Sequence, residues 1–215
     1  LQEVICINRE NKSITIQNLI TNKEYTESYD KLILSTGSEP VKPPIKGIDS
    51  RKIFTLRNVP DTDKIKNFLI THKPQKAVVI GGGFIGLEMV ENLHDAGLEV
   101  QLVEKADQVM APIDFSMAAI VHQQLRQKGV ELYLKEGVTS FLEEENGVRI
   151  VLESGRELIS DMVIFSIGVR PDIKIVKDAG LELGMTGGIK VNSYMQTSDN
   201  NIYALCDAVE VLNPV

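Results

Sequence analysis

Six residues, Gly81-Gly82-Gly83-Phe84-Ile85-Gly86, carry the strongest chemical signal in this chain. Glycines at the first, third and sixth positions suit a backbone that must turn sharply beside a phosphate. Each has its own task. Gly81 permits the tight turn, Gly83 lets a pyrophosphate approach the main chain, and Gly86 lets the following helix pack on the preceding strand. Backbone N–H groups near Phe84 and Ile85 then face the phosphates with the positive end of the helix dipole. The pattern alone is common, so its context decides. An apolar strand, Ala77-Val78-Val79-Ile80, precedes it, an amphipathic stretch follows, and an acid closes the next strand.

That acid is Glu104, eighteen residues after Gly86, where a carboxylate hydrogen-bonds the adenine ribose hydroxyls of a dinucleotide. It also bears on selectivity. At ~5 Å and an effective dielectric of ~20, a carboxylate and a 2′-phosphate charge repel by about 3 kcal/mol, roughly a hundredfold in affinity. Lys105 softens this, but no arginine follows to clamp a phosphate. NADH is therefore favoured over NADPH. Glu88, two residues past the third glycine, is expected on the first turn of the helix. Two readings stay open for it: a charge set against the helix dipole, worth about a few tenths of a kcal/mol, or a polar contact near the nicotinamide end.

The other reactive side chains form no second constellation. His72, His94 and His122 are scattered, with no cysteine or carboxylate at ligand spacing, so no metal site is expected. Cys6 and Cys206 lie on separate strand-like segments without a C-x-x-C pattern, and a thiol buried in a strand is inert. Glu143-Glu144-Glu145 reads as a solvated loop, and Met110, Met117, Met162 and the other methionines as core filler.

The elements that position these residues follow from periodicity. Val4–Ile7 and Ile14–Ile16 are short β-branched runs around a polar turn, and Lys31-Leu32-Ile33-Leu34 ends at Thr36-Gly37-Ser38-Glu39-Pro40. Pro40, Pro43, Pro44 and Gly47 then mark a linker or domain crossing. A short helix is expected from Asp61 to Thr71, a second after Gly86 that stops at Gly97, and a third from Asp114 to Lys128 that stops at Gly129. Val100–Val103 and Glu131–Leu134 are the intervening strands. Strand–helix–strand–helix–strand implies a parallel sheet with right-handed crossovers. Beyond it, Ser140–Glu144 and Val148–Leu152 flank Glu145-Asn146-Gly147, a hairpin signal. The buried run Met162–Ile167 ends at Gly168, and strand-like pieces recur at Ile189–Val191 and Ile202–Leu205.

Composition narrows the class. The 215 residues are 43% hydrophobic and 25% charged, as in an ordinary globular protein with a sizeable core. A net charge of −7 lacks the basic stripe of a nucleic-acid binder. No apolar run reaches the ~20 residues needed to span a bilayer, which excludes a membrane protein on this reading. Two cysteines and no leader pattern point to a reducing cytoplasm. The chain starts at Leu1 rather than Met and reads as a piece of a longer protein.

Three motifs in order resemble the flavin-dependent pyridine nucleotide–disulfide oxidoreductases, in their NADH oxidase, NADH peroxidase and coenzyme A-disulfide reductase branch. Thr36-Gly37-Ser38-Glu39-Pro40 after Leu32–Leu34 looks like the segment where the chain leaves the flavin domain. Gly81 to Glu88 resembles the internal NADH loop, and Ile202-Tyr203-Ala204-Leu205-Cys206-Asp207-Ala208 resembles the second flavin motif, with Cys206 standing where the family has glycine. The resemblance implies FAD as cofactor in the full-length protein, with Thr36, Gly37 and Asp207 at the flavin and Asp207 holding its ribityl chain. It implies NADH across Gly81–Gly86, Ile167 and Gly168 lining the nicotinamide pocket, and Phe84 shielding the flavin until NADH arrives. Hydride would pass from nicotinamide to flavin, and electrons onward to a disulfide, oxygen or peroxide. The family's first flavin loop and redox cysteine would lie upstream, so this piece alone is expected to bind NADH with little or no turnover. The full-length protein is expected to be a homodimer and the piece a monomer. A ferredoxin or nitrite reductase-type flavoprotein, and a non-enzymatic NADH-sensing module, are the alternatives.

The expected fold is α/β: a Rossmann-like FAD/NAD(P)-binding fold, with a parallel sheet, crossover helices and a small antiparallel β-meander. Residues 1–48 and 173–215 are assigned to parts of a FAD-binding domain, and 49–172 to the NADH-binding domain between them.

Overall fold

The computed structural model describes residues 1–145 and 147–211. The chain folds as two compact units, one made of Leu1–Glu39 with the segment from Arg170 onward, the other of Pro40–Val169. In chain order the first segment carries β1 (Gln2–Asn8), β2 (Ser13–Asn18), β3 (Glu24–Ser28), β4 (Leu32–Leu34) and β5 (Ser38–Pro40). Then come β6 (Ile53–Phe54), α1 (Val59–His72), β7 (Lys76–Ile80), α2 (Phe84–Asp95), β8 (Glu99–Glu104), α3 (Phe115–Gln127) and β9 (Glu131–Leu134). β10 (Val138–Glu144), β11 (Gly147–Leu152), β12 (Glu157–Ser160) and β13 (Met162–Phe165) follow. The return segment holds β14 (Val169–Pro171), α4 (Lys174–Asp178), β15 (Ile189–Lys190), β16 (Ile202–Ala204), a 3-10 turn at Cys206–Ala208 and β17 (Val209–Glu210).

The central unit is built on a five-stranded sheet in the order β6-β13-β7-β8-β9, every neighbouring pair parallel. Its strands are buried on both faces, so they read as continuous apolar runs rather than alternating ones. Ala77, Val79, Val100, Leu102, Met162 and Ile164 pack with Ile65 of α1 and Met89, Val90 and Leu93 of α2. The alternate residues Val78, Ile80, Val103, Val163 and Phe165 face the other way, onto Phe141, Val148, Ile150, Leu152 and Leu158. Those five belong to the antiparallel meander β10-β11-β12. One face of the sheet is thus closed by helices and the other by a small β-layer. From β7 the chain winds outward to β8 and β9, then returns through the meander to β13 on the far side of β7. The strand order reverses between β7 and β13, the kind of place where open α/β sheets bind ligands.

Local rules explain the helix ends. Asn58 caps α1, its side chain accepting from the Asp61 amide at 3.1 Å, and Pro60 sits in the first turn. That cap starts the helix earlier than the Asp61 expected from periodicity. Gly97 (φ +90°) and Gly129 (φ +80°) end α2 and α3. At each, paired backbone hydrogen bonds close the helix: Gly97 to His94 with Leu98 to Leu93, and Gly129 to Arg126 with Val130 to Leu125.

The unit boundary falls before the proline-rich stretch, because Ile48 packs into the core of the central unit and Lys46 bridges Ser140. Asn146, in the expected hairpin turn, lies outside the described residues; β10 and β11 nevertheless pair antiparallel, Glu144 opposite Gly147. The acidic run is more than a solvated loop, since Glu144 ends β10 and accepts from Arg149 Nε at 2.6 Å. Methionines divide: Met89 and Met162 are buried, whereas Met117 and Met185 are exposed and fill no core.

The outer unit joins the two ends of the chain. β1-β2-β3 form an antiparallel sheet, and β4 pairs with β16 in parallel, Leu32 opposite Ile202 and Leu34 opposite Ala204. Ile7, Leu34, Val176, Ile189 and Ile202 make its core. Arg9 ties β1 to the return segment, donating to Asp199 at 3.0 Å and to the Gly180 carbonyl at 3.0 Å. Asp199 is held below the usual carboxylate range by the Asn201 amide and then by Arg9, against the opposing effect of burial.

Candidate functional site

The glycine turn follows directly from the C-terminal end of β7. Gly81 has φ +105°, and its amide donates to the Val103 carbonyl at 2.8 Å. A side chain on Gly81 would run into the Ser166 carbonyl, and one on Gly86 into the Gly81 carbonyl. One on Gly82 would meet Val109 Cγ1 at 2.8 Å. Gly83, which caps the start of α2, has nothing within 4 Å of where a side chain would begin. The turn is therefore crowded at three glycines and open at the fourth. Among the described residues the amides of Phe84 and Ile85 find no acceptor, and the first bond in the helix ladder runs from Leu87 to Gly83 at 3.0 Å. Unsatisfied donors beside open space at a helix N-terminus favour an anion.

Glu104, at the end of β8, is bound to this turn. Its Oε2 accepts from the Gly82 amide at 2.6 Å and its Oε1 from the Ala106 amide at 2.7 Å. Each carboxylate oxygen has two lone-pair sites, so one on each is left over. The loop behind Glu104 braces the turn from the other side, the Met110 amide donating to the Gly82 carbonyl at 2.8 Å. His122 of α3, only 4% exposed, accepts from the Val109 amide through Nε2 at 3.1 Å. Burial, helped by the charge of Arg126, lowers its pKa below the usual histidine range. Sequence reasoning set His122 aside as a metal ligand and missed it as a loop brace, because only the fold brings α3 to the Val109 loop.

β13 supplies the other side of the switch point. The Ser166 amide donates to the Ile80 carbonyl at 2.8 Å, and its hydroxyl donates to the same oxygen at 3.1 Å. Ile167 is half exposed, and Gly168 (φ +128°) has open space around it. Phe84 is 64% exposed on the first residue of α2. Lys105, also expected to touch the dinucleotide, pairs with Glu153 at 3.0 Å. Glu88 is exposed and falls on the second turn of α2, not the first, because the helix begins at Phe84. The dipole effect fades beyond the first turn, which removes one of its two readings.

The residues assigned to flavin lie in the outer unit. Thr36 donates its hydroxyl to the Asp172 carbonyl at 2.6 Å, and the Asp172 amide donates to the Gly37 carbonyl at 2.9 Å. Gly37 (φ +70°) faces open space, and Ser38 donates to the Asp207 carboxylate at 3.3 Å. The turn after β4 and the turn after β16 thus meet, leaving a small-residue cradle beside a carboxylate. Cys206 was expected in a strand; it begins a 3-10 turn with φ +62°. Its backbone keeps the left-handed conformation natural to glycine. Both Cys6 and Cys206 are exposed rather than buried. Among the described residues no cluster of three metal-ligating side chains forms, and no helix is long and apolar enough to cross a membrane.

A parallel sheet in this strand order, with a glycine-rich turn at its switch point, is the architecture of the FAD/NAD(P)-binding oxidoreductases. The chain belongs to the pyridine nucleotide-disulphide oxidoreductase family, which it matches over residues 1–214. Proteins of this family use FAD and NAD(P)H. It is 36% identical over 207 residues to a coenzyme A disulfide reductase of Staphylococcus haemolyticus, covering 96% of this chain and 46% of that protein. It is 38% identical over 207 residues to an NADH oxidase of Enterococcus faecalis, covering 95% of this chain and 46% of that protein. The structure of reduced Bacillus anthracis CoADR-RHD matches with a TM-score of 0.93 and 54% identity, over 97% of this chain and 37% of that one. The chain spans about half the length of the curated relatives it matches.

Proposed function

We propose that this chain is the NADH-binding part of a flavin-dependent oxidoreductase that passes electrons from NADH to a disulfide, oxygen or peroxide. One observation carries the reading: open space at Gly83 next to the unsatisfied Phe84 and Ile85 amides, with Glu104 tied to the same turn. The pyrophosphate lies against Gly83 and takes hydrogen bonds from those amides. The lone pairs left on Glu104 accept from the adenine ribose hydroxyls, and its charge disfavours a 2′-phosphate. Ile167 and Gly168 flank the nicotinamide end, with Glu88 exposed as a polar contact and Phe84 as a movable cover.

FAD, when bound, supplies the two-electron acceptor for the nicotinamide hydride. The cradle at Thr36, Gly37 and Asp207 fits it in part, with an open glycine and a carboxylate able to accept from a polyol chain. The names of the relatives support a disulfide or oxygen as final acceptor. We place the protein in the cytoplasm, and the full-length form as a homodimer.

The test is a fluorescence titration of the 215-residue chain with NADH and NADPH. Micromolar NADH binding that weakens by about tenfold or more in Gly83→Ala, with NADPH much weaker, is the expected result. Failure of both nucleotides to bind overturns the reading.

A further inference from the structure

We propose that Glu153 is a specificity-determining residue for the dinucleotide, acting by holding Lys105 away from the adenine-ribose corner; this rests on the reading of Gly81–Gly86 as the NADH turn. Lys105 directly follows the acid that closes β8, and its side chain is 77% exposed. In that position it is the natural counter-charge for a 2′-phosphate. Its ammonium is instead 3.0 Å from Glu153 Oε1, in the turn between β11 and β12.

The position of Glu153 is set by backbone. Its amide donates to the Gly137 carbonyl at 2.8 Å, and its carboxylate lies where any side chain on Gly137 would have to go. The next residue, Ser154, donates its amide to Glu136 at 3.3 Å. That loop is in turn tied to the one bearing the acid, Glu136 donating to the Glu104 carbonyl at 3.1 Å and Lys135 to the Ala106 carbonyl at 2.9 Å. Three turns are therefore interlocked at the ends of β8, β9 and β11. They carry the carboxylates Glu104, Glu136 and Glu153, of which Glu153 is the one paired with Lys105. Of the other cations on these turns, Arg156 lies over the Tyr133 ring at 5.1 Å, and Lys135 follows β9 rather than the acid.

A 2′-phosphate carries close to two negative charges and must find a cation as well as avoid Glu104. Glu153 works against it by taking up the charge of Lys105, which leaves the 2′-phosphate without that cation. Gly137 matters because it lets the carboxylate sit that close.

The experiment is a pair of titrations, NADH and NADPH, on the unaltered chain and on Glu153→Gln, Glu153→Asp and Glu153→Gln/Lys105→Ala. Because exposed ion pairs are modest, Glu153→Gln should tighten NADPH about three- to fivefold and leave NADH within about twofold. Glu153→Asp, which keeps the charge, should hold the original ratio. With Lys105 already changed to alanine, Glu153→Gln should shift NADPH clearly less. The gain should also shrink as salt rises, which a loss of packing would not do. An unchanged NADPH-to-NADH ratio in Glu153→Gln, or the same shift with and without Lys105, overturns the proposal while NADH binding still stands. If the unaltered chain binds neither nucleotide, the reading of the glycine turn fails and takes this proposal with it.

Discussion

The carboxylate of Glu104 accepts a 2.6 Å hydrogen bond from the backbone amide of Gly82, twenty-two residues earlier in the chain. In the reading proposed above, the acid that selects between dinucleotides is also the acceptor that holds the glycine turn in shape. Glu104→Ala should therefore cost on two counts. Two backbone amides lose a charged acceptor, a change of about 1.5–3 kcal/mol per bond at full burial and less at this half-buried site. NADH should weaken while the margin over NADPH narrows. Thermal melts and nucleotide titrations on the same samples read both effects.

Gly83 and Gly86 should separate binding from folding. Gly86→Ala drives a methyl group into the Gly81 carbonyl and should destabilise the chain by about 2 kcal/mol or more. Gly83→Ala meets nothing within 4 Å, so the unliganded protein should lose only a fraction of that, through a poorer cap. NADH affinity should nevertheless fall by about tenfold or more, since the methyl group fills the space the pyrophosphate needs. Equal melting losses in the two variants would contradict this division.

His122 should make stability fall with acid. Its folded-state pKa lies below the ordinary value of 6.5, chiefly through burial and then through Arg126. As pH drops below 6.5 the unfolded chain takes up a proton that the folded chain refuses, so stability is full above that pH and is lost on the way down through the folded pKa. Protonation would also end acceptance of the Val109 amide. His122→Gln keeps an acceptor and removes the titration. Urea midpoints at pH 7.5 and pH 5 should differ less in that variant than in the unaltered chain.

Cys206 holds φ +62°, which costs a non-glycine residue about 1–2 kcal/mol. Part of this returns as the entropy that glycine loses on folding. Cys206→Gly should therefore stabilise the chain by about 0.5–1 kcal/mol, seen as a higher urea midpoint. A lower midpoint would mean that the thiol makes a contact outweighing the backbone strain.

Much of the central unit was legible in the sequence because local rules and tertiary demands agree there. The run Ala77–Ile80 is apolar throughout because its sheet is covered on both faces. Gly97 and Gly129 end helices because they take left-handed φ values. Less legible was the start of α1, where the Asn58 cap outranks the apolar spacing, and the place of Glu88, which turned on where α2 begins. The exposure of Cys6, Cys206, Met117 and Met185 was not readable from residue type, since type gives a tendency to bury and not a location.

By itself the sequence determined the turn at Gly81–Gly86 and the acid that closes the next strand. Glycine spacing, a strand before it and an acid after the next strand are local facts, because turn geometry and helix dipoles act over a few residues. Tertiary structure decided who attends that site. Val109 and Ser166 reach the glycine turn, His122 braces the Val109 loop, and Glu153 reaches Lys105, all from segments distant in sequence. Hydrogen bonds and ion pairs act over a few ångströms in space, whatever the separation along the chain. Which distant residues come that close is set by the packing of the sheet between its helices and its β-meander.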